Sequence, residues 1–115
     1  MDEDFKAEIV SMIIQGRTID AIKKLSDSYG IDPPRIKVGR VKGKSRALAV
    51  YIPRTKTIII QNGELFNNPF VVLHEYYHHL RYQDKRHRGT EQNADKYAAS
   101  FIQAFKSKVS SKKHT

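Results

Sequence analysis

The sequence predicts a single α+β domain in which two helices precede a small sheet and two more helices follow it. Apolar residues recur at helical spacing near both ends of the chain, and three short runs rich in β-branched residues lie between them. The length of 115 residues suits one core and is too short for two separately stable ones. We therefore expect one domain over residues 1–106, followed by a basic tail over residues 107–115.

The first two predicted helices occupy residues 2–15 and 18–29. The first carries an apolar stripe formed by Phe5, Ile9, Met12 and Ile13. The second has three apolar residues that we expect to face inward, namely Ile22, Leu25 and Tyr29. Thr18 is placed to cap its amino end, and Gly30 lies where a carboxyl-terminal cap forms. Pro33 then prevents the helix from continuing.

Three predicted strands over residues 36–41, 47–52 and 57–61 form a small antiparallel or mixed sheet. Each run is rich in β-branched residues, and Gly, Ser and Pro residues separate the runs. The Pro-Arg-Thr-Lys sequence at residues 53–56 is typical of a hairpin turn. The last two strands should therefore be neighbours.

A third helix is predicted over residues 69–82, because Asn68 can cap it and Pro69 suits its first position. Its core stripe should consist of Phe70, Leu73, Tyr77 and Leu80. Thr90 can cap a last helix, one face of which carries Ala94, Ala98, Phe101, Ile102 and Phe105. Residues 106–113 are rich in Ser and Lys, and we expect them to be frayed.

Composition excludes several kinds of site and indicates a basic surface. The chain has no cysteine, so disulfides, thiolate metal sites and cysteine nucleophiles are excluded. Its formal net charge of +9 suits a soluble protein with weak affinity for polyanions, which leaves nucleic acid open as a partner. Because no long apolar run follows the acidic amino terminus, we expect a cytoplasmic monomer without a membrane partner.

Residues 74–78 read His-Glu-Tyr-Tyr-His, an HExxH sequence on a predicted helix. His74 and His78 lie one turn apart, about 5–6 Å between Cβ atoms, so both imidazoles can reach one metal ion. Glu75 is rotated by about 100° from His74, which places its carboxylate beside the ion, where it can take a proton from water. The alternative is a pair of hydrogen-bonded histidines on a partly buried helix, without metal.

A catalytic zinc site needs three protein ligands and one open position, so a third ligand must come from another element. Glu91 is the leading candidate, since it begins the last helix and borders the apolar face of that helix. Asp95, one turn further on, could accept a hydrogen bond from a histidine ligand and fix its tautomer. Otherwise Glu91 is a first-turn acid favoured by the helix dipole, and Asp95 is a solvated partner of Glu91 or Lys96.

The HExxH sequence, followed by a helix that opens with Glu-x-x-Ala-Asp at residues 91–95, resembles the gluzincin metallopeptidases. The short chain and the order of its predicted elements are similar to the minigluzincins of archaea. This resemblance implies peptide-bond hydrolysis, with zinc held by His74, His78 and Glu91 and with Glu75 as the general base. Many relatives have a glycine within the motif, whereas this chain has two tyrosines there.

The resemblance also implies how a peptide or protein substrate binds and how the enzyme is kept latent. The strand at residues 57–61, or its hairpin partner, would bind an extended peptide along its edge. A segment within residues 106–115 would lie in the cleft as in a zymogen, and His114 could approach the metal. A zinc module that binds a protein or nucleic acid through its basic surface, without catalysis, is the alternative function.

Other polar and aromatic residues near the motif receive weaker interpretations. His79 projects away from the predicted metal face, and His87 belongs to a basic loop, so we expect both to be surface residues. Tyr76 and Tyr77 should pack in the core. Candidates for stabilising an oxyanion, unranked, are Tyr82, His87 and Tyr97.

Overall fold

A computed structural model describes residues 1–41, 47–83 and 89–113, and it confirms the predicted α+β architecture. In chain order its elements are α1 (Glu3–Ile14), α2 (Thr18–Tyr29), β1 (Arg35–Val38), β2 (Ala49–Ile52), β3 (Thr57–Ile60), α3 (Gly63–Phe66), α4 (Pro69–Gln83) and α5 (Glu91–Lys113). A 3-10 turn, Pro53–Thr55, joins β2 to β3 as the hairpin connection that the sequence predicts. The short helix α3 was not predicted. No helix in the described part of the chain is long and apolar enough to cross a membrane.

Side-chain caps fix the starts of the helices that frame the site. The Asn68 carboxamide oxygen accepts hydrogen bonds from the backbone N–H groups of Phe70 and Val71, at 3.0 and 3.2 Å. The Thr90 hydroxyl accepts one from the N–H of Asn93 at 3.0 Å. Such caps pair amide groups that have no partner inside the helix, so the local sequence determines where α4 and α5 begin.

Thr18 has a different role from the predicted cap of α2. It is the first residue of the helix, and the preceding Arg17 makes no side-chain capping bond. The buried Thr18 hydroxyl instead donates to the carbonyl oxygen of Phe66 at 2.8 Å. This hydrogen bond ties the start of α2 to the end of α3, a contact between residues far apart in sequence. Gly30 caps the other end of α2, as predicted, with a left-handed backbone at φ 69°.

The sheet is mixed, with strand order β1-β3-β2. β3 pairs in parallel with β1 and antiparallel with β2, so it is the central strand. Its backbone groups are used on both sides, and β3 therefore cannot act as the predicted substrate strand. Its hairpin partner β2 lies at one edge of the sheet and packs against α4.

The main core lies between the inner face of the sheet and the helices, with α1 and α4 both packed against α5. Its largest fully buried members include Ile9, Ile13, Ile58, Ile60, Leu73, Tyr76 and Phe101. Ala94 and Ala98 are completely buried on α5. Small side chains at these positions let α4 and α5 approach closely, as the sequence predicts, and this approach brings Glu91 near the histidine pair.

The buried face of α4 is rotated from the predicted stripe. Leu73 is buried as predicted, but Phe70 is 39% exposed, and the central residues of the buried face are Val72, Tyr76 and His79. A buried face predicted from the apolar residues of a helix assumes that the polar residues face solvent. Here the sheet covers α4 on one side and α5 covers it on another. The rotation therefore follows from what packs on the helix.

His79 is completely buried, so the prediction that it is a surface residue is wrong. Its Nε2–H donates to the carbonyl oxygen of Asp32 at 2.9 Å, which leaves Nδ1 unprotonated. Nδ1 accepts a hydrogen bond from the hydroxyl of Tyr51 at 2.8 Å. Burial lowers the pKa of His79, in keeping with a neutral ring. The imidazole thus joins α4 to the edge strand β2 and to the segment after α2.

Replacing His79 by alanine should lower the free energy of unfolding by about 2–4 kcal/mol, since a cavity forms and two hydrogen-bonding groups lose their partner. Tyr51→Phe, the matched control, deletes one hydroxyl and one bond and should cost only about 1 kcal/mol. Urea denaturation of the two variants and the parent at one pH measures the difference. Equal, small losses in both variants would show that the histidine does not hold these elements together.

The last predicted segment also differs from the structure. Residues 106–113 continue helix α5 instead of fraying, and Lys108 forms an ion pair of 3.0 Å with Asp4 of α1. At about 1.5 Å per residue, Lys108 lies roughly 25 Å along α5 from Glu91. Residues 106–113 therefore lie away from the predicted cleft, and His114 and Thr115 lie outside the described residues.

Candidate metal centre

Helices α4 and α5 bring together the three residues predicted as metal ligands. His74 and His78 lie one turn apart on α4, and Glu91 is the first residue of α5. One ligand atom from each lies within 4.8 Å of the other two. The two histidines are half-buried, whereas Glu91 is exposed, so the group opens to solvent on the α5 side.

The Glu91 carboxylate bridges the two imidazoles. Its Oε2 lies 3.0 Å from Nε2 of His74, and its Oε1 lies 2.7 Å from Nε2 of His78. In a tetrahedral zinc site with bonds of 2.0–2.1 Å, neighbouring ligand atoms are about 3.3 Å apart. These two spacings are shorter than this value by about 0.3 and 0.6 Å, differences that rotation about side-chain torsions can absorb.

Asp95 orients His74 from the other side of its ring. Its Oδ1 lies 2.8 Å from Nδ1 of His74, so each ring nitrogen of this histidine faces a carboxylate oxygen. A neutral imidazole has a single N–H, and it cannot donate to both. If Nδ1–H donates to Asp95, the lone pair of Nε2 faces the lone pair of Glu91, an arrangement that a cation between them would relieve. The donor set of two imidazoles and one carboxylate suits zinc.

Glu75 lies beside this group and is 9% exposed. Its Oε2 is 3.9 Å from Nε2 of His74, farther than the Glu91 oxygen that contacts the same nitrogen. This position next to the histidines, outside the ligand triangle, is the one predicted for a general base.

The pKa of His78 is lowered, mainly by burial and further by the neighbouring His74, against the opposing effect of Glu91. The neutral form of the ring is therefore favoured near neutral pH. Only a neutral imidazole can donate a lone pair to a metal, so burial prepares His78 for this role.

Two cavities meet at the site and share one wall. A cavity of about 540 Å³ is lined by Glu75, His78 and Glu91, and one of about 310 Å³ is lined by His74, Glu75 and Asp95. Both are bounded by Ala49, the first residue of β2, and by Ala47, two residues before it. A groove therefore runs along the edge strand and passes over the three candidate ligands.

The hairpin strand β2 pairs only with β3 among the described strands. Its outer edge therefore keeps backbone groups that no described strand uses. This edge bounds the groove that passes over the candidate ligands.

The three candidates for an oxyanion donor separate in the structure. Tyr82 lines the larger cavity together with Glu75 and His78. Tyr97 lines neither of the two cavities, and its hydroxyl lies 2.9 Å from that of Tyr29. Burial raises the pKa of Tyr97. His87 lies outside the described residues.

Sequence reasoning missed two residues of the cleft wall, Tyr51 and Arg81. Arg81 follows His78 by three positions, so the helical periodicity that identified the histidine pair could have included it. Tyr51 belongs to another element, and the alternation of the strand predicts only that its side chain faces one side of the sheet.

Comparison with known proteins gives no further guide, because the chain matches no protein-family model, no curated protein and no solved structure.

Proposed function

We propose that the protein is a zinc-dependent metallopeptidase of the gluzincin type. The convergence of His74, His78 and Glu91, with ligand atoms within 4.8 Å of one another, carries the proposal. The position of Glu75 beside them supports a hydrolase rather than a purely structural site. Three protein ligands leave a fourth position for water or substrate, which is the mark of catalytic zinc.

The zinc ion, when bound, would act as a Lewis acid on the attacking water and on the carbonyl group of the scissile peptide bond. His74, His78 and Glu91 would hold it. Asp95 would accept the Nδ1–H of His74, so that Nε2 is the nitrogen that faces the ion. This orientation rests on the 2.8 Å contact between the two side chains.

Glu75 would act as the general base. Its carboxylate takes a proton from the attacking water and later passes this proton to the leaving amine, so one group serves both proton transfers. Tyr82, which lines the same cavity, is the candidate to stabilise the oxyanion.

A peptide would bind as an added strand along the outer edge of β2. Strand addition uses main-chain hydrogen bonds, and it suits an edge that faces the ligand triangle across a groove. A strand bound there would present its backbone carbonyl groups toward Glu75 and the histidines, the geometry that peptide hydrolysis needs.

Removing the metal tests the proposal directly. Protein stripped with a chelator should lose hydrolysis of a mixed peptide library by about 100-fold or more, and one equivalent of zinc should restore it. Elemental analysis gives the zinc content, and mass spectrometry follows cleavage. A His74→Ala variant that keeps one zinc per chain, or cleavage that the chelator leaves unchanged, would count against the assignment.

A second candidate function, a zinc module that binds polyanions without catalysis, is favoured by the distribution of charge. Residues 33–63 contain eight Lys and Arg residues and no Asp or Glu. This segment includes the whole sheet, so one region carries most of the net charge of +9. Salt-dependent retention on DNA that does not require Glu75 would support this function over the peptidase.

A further inference from the structure

Arg81 lies on the face of α4 that carries the candidate ligands. It follows His78 by three residues and His74 by seven, and residues at i, i+4 and i+7 share one helical face. Arg81 also lines the cavity that contains Glu75, His78 and Glu91. A cation is therefore placed within the cleft, one turn beyond the second histidine.

The guanidinium of Arg81 has no acidic partner among the described residues. Its Nε and Nη2 atoms are buried and lack hydrogen-bond partners. These two N–H groups lie along one edge of the planar group, the edge that a carboxylate can accept with both of its oxygens. The Cζ atom of Arg81 lies 5.8 Å from the centre of the Tyr77 ring, so the guanidinium stacks over an aromatic face and forms a cation–π contact.

The stem of Arg81 is held against Gly89, and the side chain borders the cavity. A Cβ atom at Gly89 would lie 3.1 Å from the Cγ and 3.3 Å from the Cβ of Arg81, so the backbone of Gly89 packs closely on the stem. The side chain is nonetheless partly exposed and bounds the cavity. Rotation about its last torsions can turn the unsatisfied edge toward a ligand.

The surrounding charge favours an anion. The wall opposite α4 is formed by β2, which belongs to the acid-free segment of residues 33–63. The rest of the chain contains 13 basic and 12 acidic residues, so almost all of the net charge of +9 falls in this segment of the sequence. Exposed cations of this segment include Arg54 and Lys56 at the turn between β2 and β3, and neither forms an ion pair in the described part of the chain.

We infer that Arg81 forms a carboxylate subsite of the cleft, and that the peptides suited to this cleft carry a Glu or Asp side chain, or a free carboxyl terminus, beside the bond that faces the metal centre. The inference rests on the proposed function. To that function it adds Arg81 as a residue that determines specificity, and acidic peptides as the class of substrate. Arg81 holds the anion and takes no part in the bond-breaking step.

Binding to the zinc-loaded Glu75→Gln protein tests the subsite without cleavage of the ligand. Fluorescent peptides are compared in matched pairs, Glu against Gln at one position and free acid against amide at the carboxyl terminus. We expect one acidic member to bind about 10-fold more tightly than its neutral counterpart. The pair that shows this preference identifies the source of the carboxylate.

Three variants of the Glu75→Gln protein test which residue causes the preference for acidic peptides. Arg81→Met should abolish it, and Arg81→Lys should retain only part of it, because an ammonium group has the charge without the planar fork. Arg35→Met removes the same charge from the far edge of the sheet, and it should leave the preference unchanged. A preference that survives Arg81→Met, or one that Arg35→Met weakens equally, would overturn the inference.

The outcome is separable from that of the peptidase proposal. Cleavage by the parent protein with no distinction between acidic and neutral peptides would refute the subsite alone. Acid-selective binding that depends on Arg81, without cleavage by the zinc-loaded parent, would refute the peptidase and leave the subsite in place. Failure of every peptide to bind at millimolar concentration would refute the subsite.

Discussion

Glu75→Gln is expected to lower kcat/KM for peptide hydrolysis by about 1,000-fold while the zinc content stays at one ion per chain. The amide has nearly the size of the carboxylate, so the packing around this 9%-exposed side chain is kept. It cannot accept a proton from water, and the proton transfer that starts the reaction is lost. Steady-state assays and elemental analysis on the same preparation measure both quantities.

Tyr82→Phe is the matched comparison for this variant, since it changes a second polar group of the same cavity without removing a base. It should retain more activity than Glu75→Gln. Full activity in Glu75→Gln would assign the proton transfer to another residue. Loss of zinc from this variant would instead place Glu75 among the ligands, against its longer distance of 3.9 Å from His74.

Glu91→Ala should weaken zinc binding by about 100-fold or more, because only two of the three protein ligands remain. Asp95→Ala should weaken it by about 10-fold, since the ligands survive and only the orientation of His74 is lost. Competition with a chromophoric chelator at neutral pH gives both affinities. The test is whether Glu91→Ala loses more zinc affinity than Asp95→Ala, rather than how large either loss is.

Glu91 is largely exposed, with 78% of its side chain accessible, so its removal should change the free energy of unfolding of the metal-free protein little. Thermal unfolding with and without zinc separates loss of a ligand from loss of the fold. Unchanged zinc affinity in Glu91→Ala would remove the third ligand and, with it, the hydrolase proposal. The residue would then be a first-turn acid of α5.

The elements of this fold follow largely from local sequence. Caps at Asn68 and Thr90, the turn at residues 53–56 and the left-handed Gly30 are decided by hydrogen bonds and backbone sterics within a few residues. The spacing of His74 and His78 likewise fixes their shared face, whatever packs against α4. For this reason the sequence predicts the order of the elements and the histidine pair.

Which polar groups become buried is less local, and here several sequence predictions were wrong. Thr18 bonds to Phe66, and His79 bonds to Tyr51 and to the carbonyl of Asp32, groups that are distant along the chain. A threonine or histidine is expected to be exposed only when the fold offers its polar atoms no hydrogen-bonding partner. Residues 106–113 remain helical for a similar reason, since α5 packs along α1 there and Lys108 pairs with Asp4.

By itself, the sequence determined the four longer helices, the three strands, the HExxH pair and the absence of any thiolate ligand, because each depends on neighbours within a turn or on composition alone. Only the tertiary structure decided that Glu91 approaches both imidazoles, that β2 rather than β3 borders the groove, and that Arg81 enters it without an acid beside it. These outcomes depend on how α4, α5 and the sheet pack together. Contacts between distant segments are set by the burial of whole faces, which no local spacing specifies.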